Sequence, residues 1–135
     1  MTEEAPMSLT ESTISVMLPI TDPNRAQKFY GETLELPFDG NDGEGALLFR
    51  LGGGAELVLR PLPAGQQSPN TAMSFEVGDL TAEIAQLEER GVRFEDYDQP
   101  GFTTVDHVFV NGGESAAWFL DPDGNVLCVH QLNAS

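Results

Sequence analysis

Residues 118–129 read Trp-Phe-Leu-Asp-Pro-Asp-Gly-Asn-Val-Leu-Cys-Val, a turn sequence between two apolar runs. Pro122 presets the backbone angle at the second position of the turn, and Gly124 tolerates the geometry that closes it. The two aspartates of the turn have side chains that can accept hydrogen bonds from nearby amides. Because strand-favouring residues flank the turn on both sides, the stretch predicts a strand, a turn and a final strand over 126–132.

The composition indicates one acidic globular domain. The chain has 135 residues, 40% of them hydrophobic, which is enough to form a core. Twenty-two acidic and six basic residues give a formal net charge of −16. The negative electrostatic field of such a protein repels nucleic acid phosphates and anionic membranes and attracts cations. We therefore expect neither nucleic acid nor a membrane as a partner, although solubility is the simpler explanation of the charge.

The sequence predicts a cytoplasmic protein. No apolar run approaches the roughly 20 residues that span a bilayer, and residues 1–11 lack the basic-then-apolar order of a secretory signal. The single cysteine, Cys128, cannot form an internal disulfide. Residues 1–12 are expected to be a flexible acidic tail, and residues 13–135 are expected to form one domain.

One unit of structure is repeated along that domain. In each half a strand-like run precedes an aspartate that can cap a helix, Asp22 first and Asp79 later, 57 positions apart (79 − 22). Short strands are then expected around 36–38, 46–51 and 56–62, and again around 92–95, 105–110, 116–120 and 126–132. Module one covers about 13–64 and module two about 70–132. Since neither module could readily bury its sheet alone, the two are expected to pair in an α+β fold.

Three motifs together resemble the vicinal-oxygen-chelate superfamily, which includes glyoxalases, extradiol dioxygenases and bleomycin-type resistance proteins. They are Leu-Pro-Ile-Thr-Asp at 18–22 followed by Phe-Tyr at 29–30, Phe-Glu-Val-Gly-Asp-Leu at 75–80, and Trp-Phe-Leu-Asp-Pro-Asp-Gly-Asn at 118–125. The resemblance covers most of the chain. It implies two βαβββ modules whose strands form a half-open, barrel-like sheet around a cavity, and it implies a homodimer.

The resemblance also indicates where a metal would bind. Most enzymes of the superfamily hold a divalent metal through four cavity-facing side chains, generally His and Glu. The matching positions here are Ser15, Val58, Ala72 and Cys128, with Glu56 replacing Val58 if the register slips by two residues. Hydroxyl, aliphatic and single thiol side chains do not form a site for such a metal. The sequence therefore predicts no metal and no other cofactor.

The cavity is expected to remain without the metal. Strand alternation directs every second side chain inward, and apolar walls with a few polar groups suit a small organic ligand. The register that the resemblance implies gives most of the residues expected to bind the ligand, and Trp118 is added because its ring could stack on one. The full set is Met17, Val58, Arg60, Ser74, Glu76, Trp118, Cys128 and His130.

Two residues are candidates for acid–base chemistry. Glu76 would occupy a cavity-facing position, where it could act as a base, bind a cation or simply pair with Arg60. His107 could exchange protons near neutral pH, although a strand-edge histidine without a role is the simpler interpretation. Cys128 and His130 share one strand face but would need further donors to hold a metal.

Two classes of function remain. The first is metal-independent binding of a small molecule, of the glyoxalase/bleomycin-resistance type, with a cationic or aromatic metabolite or antibiotic as the ligand. The second is a lyase, isomerase or dioxygenase-like enzyme of the same superfamily that uses Glu76, His107 or a displaced metal site. The missing metal ligands favour the first class.

Overall fold

The computed structural model describes residues 8–133, which form two similar halves, each with a helix and a four-stranded sheet. Module one contains β1 (Ser15–Ile20), α1 (Pro23–Lys28), β2 (Phe38–Asn41), β3 (Leu47–Arg50) and β4 (Glu56–Pro61). Module two contains β5 (Thr71–Glu76), α2 (Leu80–Glu89), β6 (Asp98–Gln99), β7 (Phe102–Thr103), β8 (Phe109–Asn111), β9 (Glu114–Leu120) and β10 (Val126–Leu132).

The strand order repeats from one module to the other. Sheet A has the order β1-β4-β3-β2 and sheet B the order β5-β10-β9-β8, and β6 pairs with β7 in a separate hairpin. In both sheets the edge strand that precedes the helix runs parallel to its neighbour, and the remaining neighbours are antiparallel. These two open, mixed sheets with their helices confirm the predicted α+β fold of two βαβββ modules and a half-open, barrel-like sheet.

Both helices begin at the predicted caps. The Asp22 side chain accepts hydrogen bonds from the backbone N–H groups of Asn24 and Arg25, and the Asp79 side chain accepts one from Ala82. These bonds satisfy N–H groups that the first helical turn leaves without partners. Helix α1 ends in a π-helical turn over Phe29–Thr33.

The tail predicted over 1–12 lies partly outside the described residues. Residues 1–7 are not described, and Leu9–Glu11 form a short 3-10 turn with no buried side chain. In the described part of the chain, neither helix is long and apolar enough to cross a membrane.

The strand predicted around 105–110 forms only at its end, as Phe109–Asn111. Asp106 and His107 have positive φ angles of 51° and 72°, in the left-handed region that an extended strand cannot contain. The segment therefore makes a tight loop before β8 begins.

The predicted strand around 92–95 is reduced to a single bridge between Phe94 and Phe119. The β6–β7 hairpin follows it and was not expected. Gly101 has a φ of 78° within the hairpin turn, directly after Pro100, and this Pro-Gly pair is a turn sequence.

The two modules share one hydrophobic core. Side chains from both sheets and both helices form a continuous buried cluster, and Phe119 lies where the modules meet. Its ring centroid is 6.4 Å from that of Phe29 in module one and 5.4 Å from that of Phe94 in module two. The modules therefore bury their apolar faces against each other, as the repeat predicts.

The turn between β9 and β10 connects module two to module one through hydrogen bonds. Asp121 is only 4% exposed, and its Oδ2 accepts hydrogen bonds from the Tyr30 hydroxyl at 2.6 Å and from Asn125 Nδ2 at 2.8 Å. Its Oδ1 accepts the backbone N–H groups of Asp123 and Asn125. Asn125 Nδ2 also donates to the Pro19 carbonyl oxygen at 2.8 Å. The Asp121 carboxylate therefore organises the turn and binds the π-helical turn that follows α1, and Asn125 binds β1.

A second aspartate of this turn binds the segment that leads into α1. Asp123 Oδ1 accepts hydrogen bonds from the Thr21 backbone N–H at 2.9 Å and from the Thr21 hydroxyl at 2.6 Å. Arg25 Nη2 lies 3.3 Å from the same oxygen, and the Asp123 side chain is 1% exposed. The turn therefore positions module one through two buried carboxylates.

We expect Tyr30→Phe to lower the free energy of unfolding by about 1–3 kcal/mol, because the buried Asp121 oxygen loses a donor. Burial and the Asp121 carboxylate raise the pKa of Tyr30 well above its ordinary value, so the hydroxyl keeps its proton and donates at neutral pH. Urea unfolding at pH 7 measures the change.

Tyr97→Phe is the matched control, since Tyr97 is half-buried and its hydroxyl makes no hydrogen bond within residues 8–133. An equal loss of stability in the two variants would show that the bond to Asp121 contributes nothing specific.

Candidate functional site

One face of sheet B is turned away from the core. In β5, β9 and β10 alternate side chains enter the core, and those between them form the open face of sheet B: Ala72, Ser74, Glu76, Ala116, Trp118, Cys128 and His130. The strand register arranges them in rows. Trp118, Cys128 and Ser74 lie side by side, and the next row contains Ala116, His130 and Glu76.

Four aromatic rings cluster at one end of this face. The Phe102 centroid lies 5.3 Å from that of Trp118, 4.7 Å from that of Phe109 and 4.8 Å from that of Tyr97. Phe102 belongs to the β6–β7 hairpin, which folds over the sheet. Trp118 Nε1 donates to the Thr71 hydroxyl at 3.0 Å, and this bond fixes the indole ring. We call Tyr97, Phe102, Phe109 and Trp118 the aromatic cluster.

Two cavities flank Trp118. One has a volume of about 290 Å³ and is lined by Thr71, Ser74, Phe102, Phe109, Asn111, Glu114, Ala116, Trp118 and Cys128. The other has a volume of about 420 Å³ and is lined by Pro69, Asn70, Thr71, Tyr97, Gln99, Phe102, Trp118 and Val126. Rings with a few polar groups between them suit an organic ligand of small to moderate size.

Three polar side chains follow one another along the open face, and of the three only Ser74 lines the first cavity. The Ser74 hydroxyl lies 2.5 Å from His130 Nδ1, and Glu76 Oε1 lies 3.8 Å from His130 Nε2. The His130 side chain is 19% exposed and the Glu76 side chain 62% exposed. The three groups form a chain of a hydroxyl, an imidazole and a carboxylate along the open face.

The other predicted ligand residues lie on sheet A. Met17 is opposite Val58, and Arg60 is opposite Pro19, on the face of sheet A that is turned away from the core. Met17 and Arg60 line a cavity of about 280 Å³. Arg60 Nη2 lies 3.3 Å from Asp42 Oδ2, so its carboxylate partner is Asp42.

The structure thus places the predicted ligand residues in two groups. Ser74, Trp118 and Cys128 meet around one cavity on sheet B, whereas Met17 and Arg60 meet around another on sheet A. The joint role of the two groups in binding one ligand stays a prediction.

The positions that correspond to metal ligands do not fit a metal. Ser15, Val58, Ala72 and Cys128 offer a hydroxyl, two aliphatic side chains and one buried thiol, a poor set of donors for a divalent ion. Within residues 8–133 no three His, Cys, Asp or Glu side chains come close enough together to hold one. Metal-independence stays a prediction, and no chemistry is derived from a metal.

His107 lies among carboxylates. Its Nδ1 is 2.9 Å from Asp96 Oδ1, its Nε2 is 3.4 Å from Glu88 Oε2, and its ring stacks on Phe94. None of these partners lines the cavities beside Trp118. The candidate catalytic residues Glu76 and His107 therefore lie in different surroundings, and of the two only Glu76 adjoins the open face of sheet B.

Sequence reasoning missed most of the aromatic cluster. Tyr97, Phe102 and Phe109 reach Trp118 because the β6–β7 hairpin folds back, and neither strand of that hairpin was expected. The Pro100-Gly101 turn was the available indication of this hairpin.

We expect Cys128 to react slowly with Ellman's reagent at pH 7.5. Burial raises the pKa of the Cys128 thiol, an effect that the nearby Ser74 hydroxyl only partly offsets, so little reactive thiolate forms. The expected rate is at least about tenfold below that of free cysteine. The rate should recover in urea, and equal rates for native and unfolded protein would contradict the burial of this side chain.

Comparisons with known proteins agree with this architecture. A family model of the glyoxalase/bleomycin resistance protein/dioxygenase superfamily matches residues 14–129. The solved structure of TnmS3, an antibiotic binding protein from Streptomyces sp. CB03234, has a TM-score of 0.72 and 24% identity, covering 94% of this chain and 100% of that one. No curated protein matches.

Two further structures are similar. A glyoxalase/bleomycin resistance protein from Streptomyces sp. CB03234 has a TM-score of 0.65 and 26% identity, covering 89% of this chain and all of that one. A superfamily member from Sphaerobacter thermophilus has a TM-score of 0.68 and 22% identity, covering 89% and 96%. The match of the family model over most of the chain shows that it belongs to the glyoxalase/bleomycin resistance protein/dioxygenase superfamily.

Proposed function

We propose that the protein binds a small, planar, aromatic cation on the open face of sheet B and does so without a metal. The observation that carries the proposal is the aromatic cluster, which borders two cavities. Edge-to-face contacts hold Phe102 and Trp118 in fixed orientations, so the rings are organised before a ligand arrives. The similar fold of TnmS3, an antibiotic binding protein, supports the binding of a small organic molecule.

The charge distribution favours a cationic ligand. Glu114 lines the cavity that Phe102 and Trp118 border, and Glu76 lies in the next row of the same sheet face. Four arginines each pair with a carboxylate: Arg25, Arg50, Arg60 and Arg90. Because these pairs neutralise much of the basic charge, the net charge of −16 attracts a cation to the site.

We expect the working form to be a homodimer. Met17 is 59% exposed in the middle of a strand, and Leu62, Leu120 and Leu132 are also exposed on or beside strands. Of these, Met17 and Leu62 line the same cavity, and contiguous exposed apolar surface is typical of interfaces. A second copy that placed its sheet A over sheet B would add Met17, Val58 and Arg60 to the ligand site and enclose it.

Sedimentation equilibrium tests the dimer. The expected mass is twice the 14.6 kDa of one chain, and Met17→Glu should shift the protein toward monomer because it places a charge in the interface. A monomeric wild-type protein that still binds its ligand tightly would contradict the dimer.

The cellular location is part of the proposal. A single buried cysteine and an acidic composition are compatible with the reducing cytoplasm, where we place the protein.

Binding can be measured with 9-aminoacridine, a planar cation, and with anthraquinone-2-sulfonate, an anion of similar shape. Trp118 is the one tryptophan of the chain, so quenching of its fluorescence reports occupation of the site. We expect the cation to quench Trp118 and to add about 2.7 kcal/mol of stability at 100 times its dissociation constant. Treatment with EDTA should leave this binding unchanged.

Phe102→Ala should weaken the binding of 9-aminoacridine about tenfold or more, because it removes a stacking ring. Phe38→Ala is the control, since Phe38 is also aromatic and partly exposed but lies on sheet A. Equal binding of the cation and the anion, or equal losses in the two variants, would contradict the proposed site.

A further inference from the structure

We propose that Ser74 is also a nucleophile that cleaves aryl esters bound against the aromatic cluster, with His130 as its base and Glu76 as the residue that positions the imidazole. This activity goes beyond ligand binding. It rests on the contact of 2.5 Å between the Ser74 hydroxyl and His130 Nδ1, and on Glu76 at the far side of the same ring.

The strand register creates this arrangement. In the parallel pair of β5 and β10, Ser74 lies opposite Cys128, and Glu76 lies opposite His130. Since side chains alternate along a strand, all four point to the open face of sheet B. The imidazole therefore lies between the hydroxyl and the carboxylate on two hydrogen-bonded strands, a more rigid support than a loop.

The roles of the three groups follow from their positions. In the tautomer with its proton on Nε2, His130 accepts the Ser74 hydroxyl at Nδ1 and directs its N–H toward Glu76. A hydroxyl, a base and a group that orients the base are the components of nucleophilic catalysis. The Glu76 carboxylate is mostly exposed, so it can close the remaining 3.8 Å when a positive charge develops on the imidazole.

The cavity places an aryl group beside the nucleophile. Ser74 lines the same 290 Å³ cavity as Phe102, Phe109 and Trp118. An aromatic leaving group can pack on the rings while its ester carbonyl lies near Ser74. The neighbouring Cys128 is a poorer nucleophile, because burial raises its pKa.

The reaction balances with water as the only co-reactant. Ser74 Oγ forms a bond to the ester carbonyl carbon while its proton passes to His130 Nδ1. The bond from that carbon to the phenolic oxygen then breaks, and the phenol leaves with the proton. Water next attacks the acyl group, gives a proton to His130, and displaces Ser74 Oγ, which regains that proton. The net products are a carboxylic acid and a phenol.

The test uses p-nitrophenyl acetate, with release of p-nitrophenolate and the intact protein mass as the readouts. We expect an acetyl group on Ser74, and at least about a hundredfold loss of the protein-catalysed rate in Ser74→Ala and in His130→Gln. Ser115→Ala is the matched control, because Ser115 lies on β9 and pairs with Asn133 instead. Its rate should stay within twofold of wild type.

The Glu76→Gln variant tests whether Glu76 positions the His130 imidazole. We expect Glu76→Gln to lower kcat for p-nitrophenyl acetate while KM changes by less than about twofold, and we expect Glu76→Asp to restore part of the loss, because a carboxylate at this position still orients the imidazole. An unchanged kcat in Glu76→Gln, or a loss that Glu76→Asp does not reduce, would contradict the positioning role of Glu76.

Two outcomes would contradict the assignment of Ser74 as the nucleophile. One is an unchanged rate in Ser74→Ala, and the other is an acetyl group only on Cys128, Lys28 or the terminal amine. If Ser74→Ala does not fold, labelling of wild-type protein with phenylmethylsulfonyl fluoride decides instead: modification of Ser74 supports the proposal, and its absence contradicts it. Binding of 9-aminoacridine by Ser74→Ala would show that the ligand site survives even where the nucleophile is disproved.

Discussion

The structure depends on one buried carboxylate. The Asp121 carboxylate accepts hydrogen bonds from the Tyr30 hydroxyl of module one and from two backbone N–H groups of its own turn. A single side chain therefore stabilises both the turn and the contact between the modules. Carboxylates are rarely buried unless they are hydrogen-bonded, and Asp121 has four donors. Strand β9, which precedes the turn, places Phe119 in the shared core and Trp118 on the opposite face of the sheet.

That division of faces explains how the scaffold can hold a ligand site. Every second side chain of sheet B packs in the core. The side chains between them point the other way and form the open face. The β6–β7 hairpin then closes over one end of the open face and brings Phe102 against Trp118. An aromatic cavity and the polar side chains of Ser74, His130 and Glu76 are thereby combined on one face of one sheet.

The sequence predicted the scaffold better than the site. Helix caps at Asp22 and Asp79, the final strand and the repeat of two modules follow from local residue chemistry, and the structure contains each of them. The aromatic cluster could not be inferred in the same way, because Phe102 meets Trp118 only through a long-range fold-back. The contact between Ser74 and His130 likewise depends on the register of two strands 56 positions apart, which no local pattern specifies.

A crystal structure of the protein with 9-aminoacridine, grown from protein purified without chelators, tests the central claim most directly. The account predicts the acridine ring packed on Trp118 within the cavity beside Phe102, its charge near Glu114 or Glu76, and no metal ion between ligand and protein. Acridine bound elsewhere, or a divalent cation held by nitrogen and carboxylate donors inside the cavity, would contradict it.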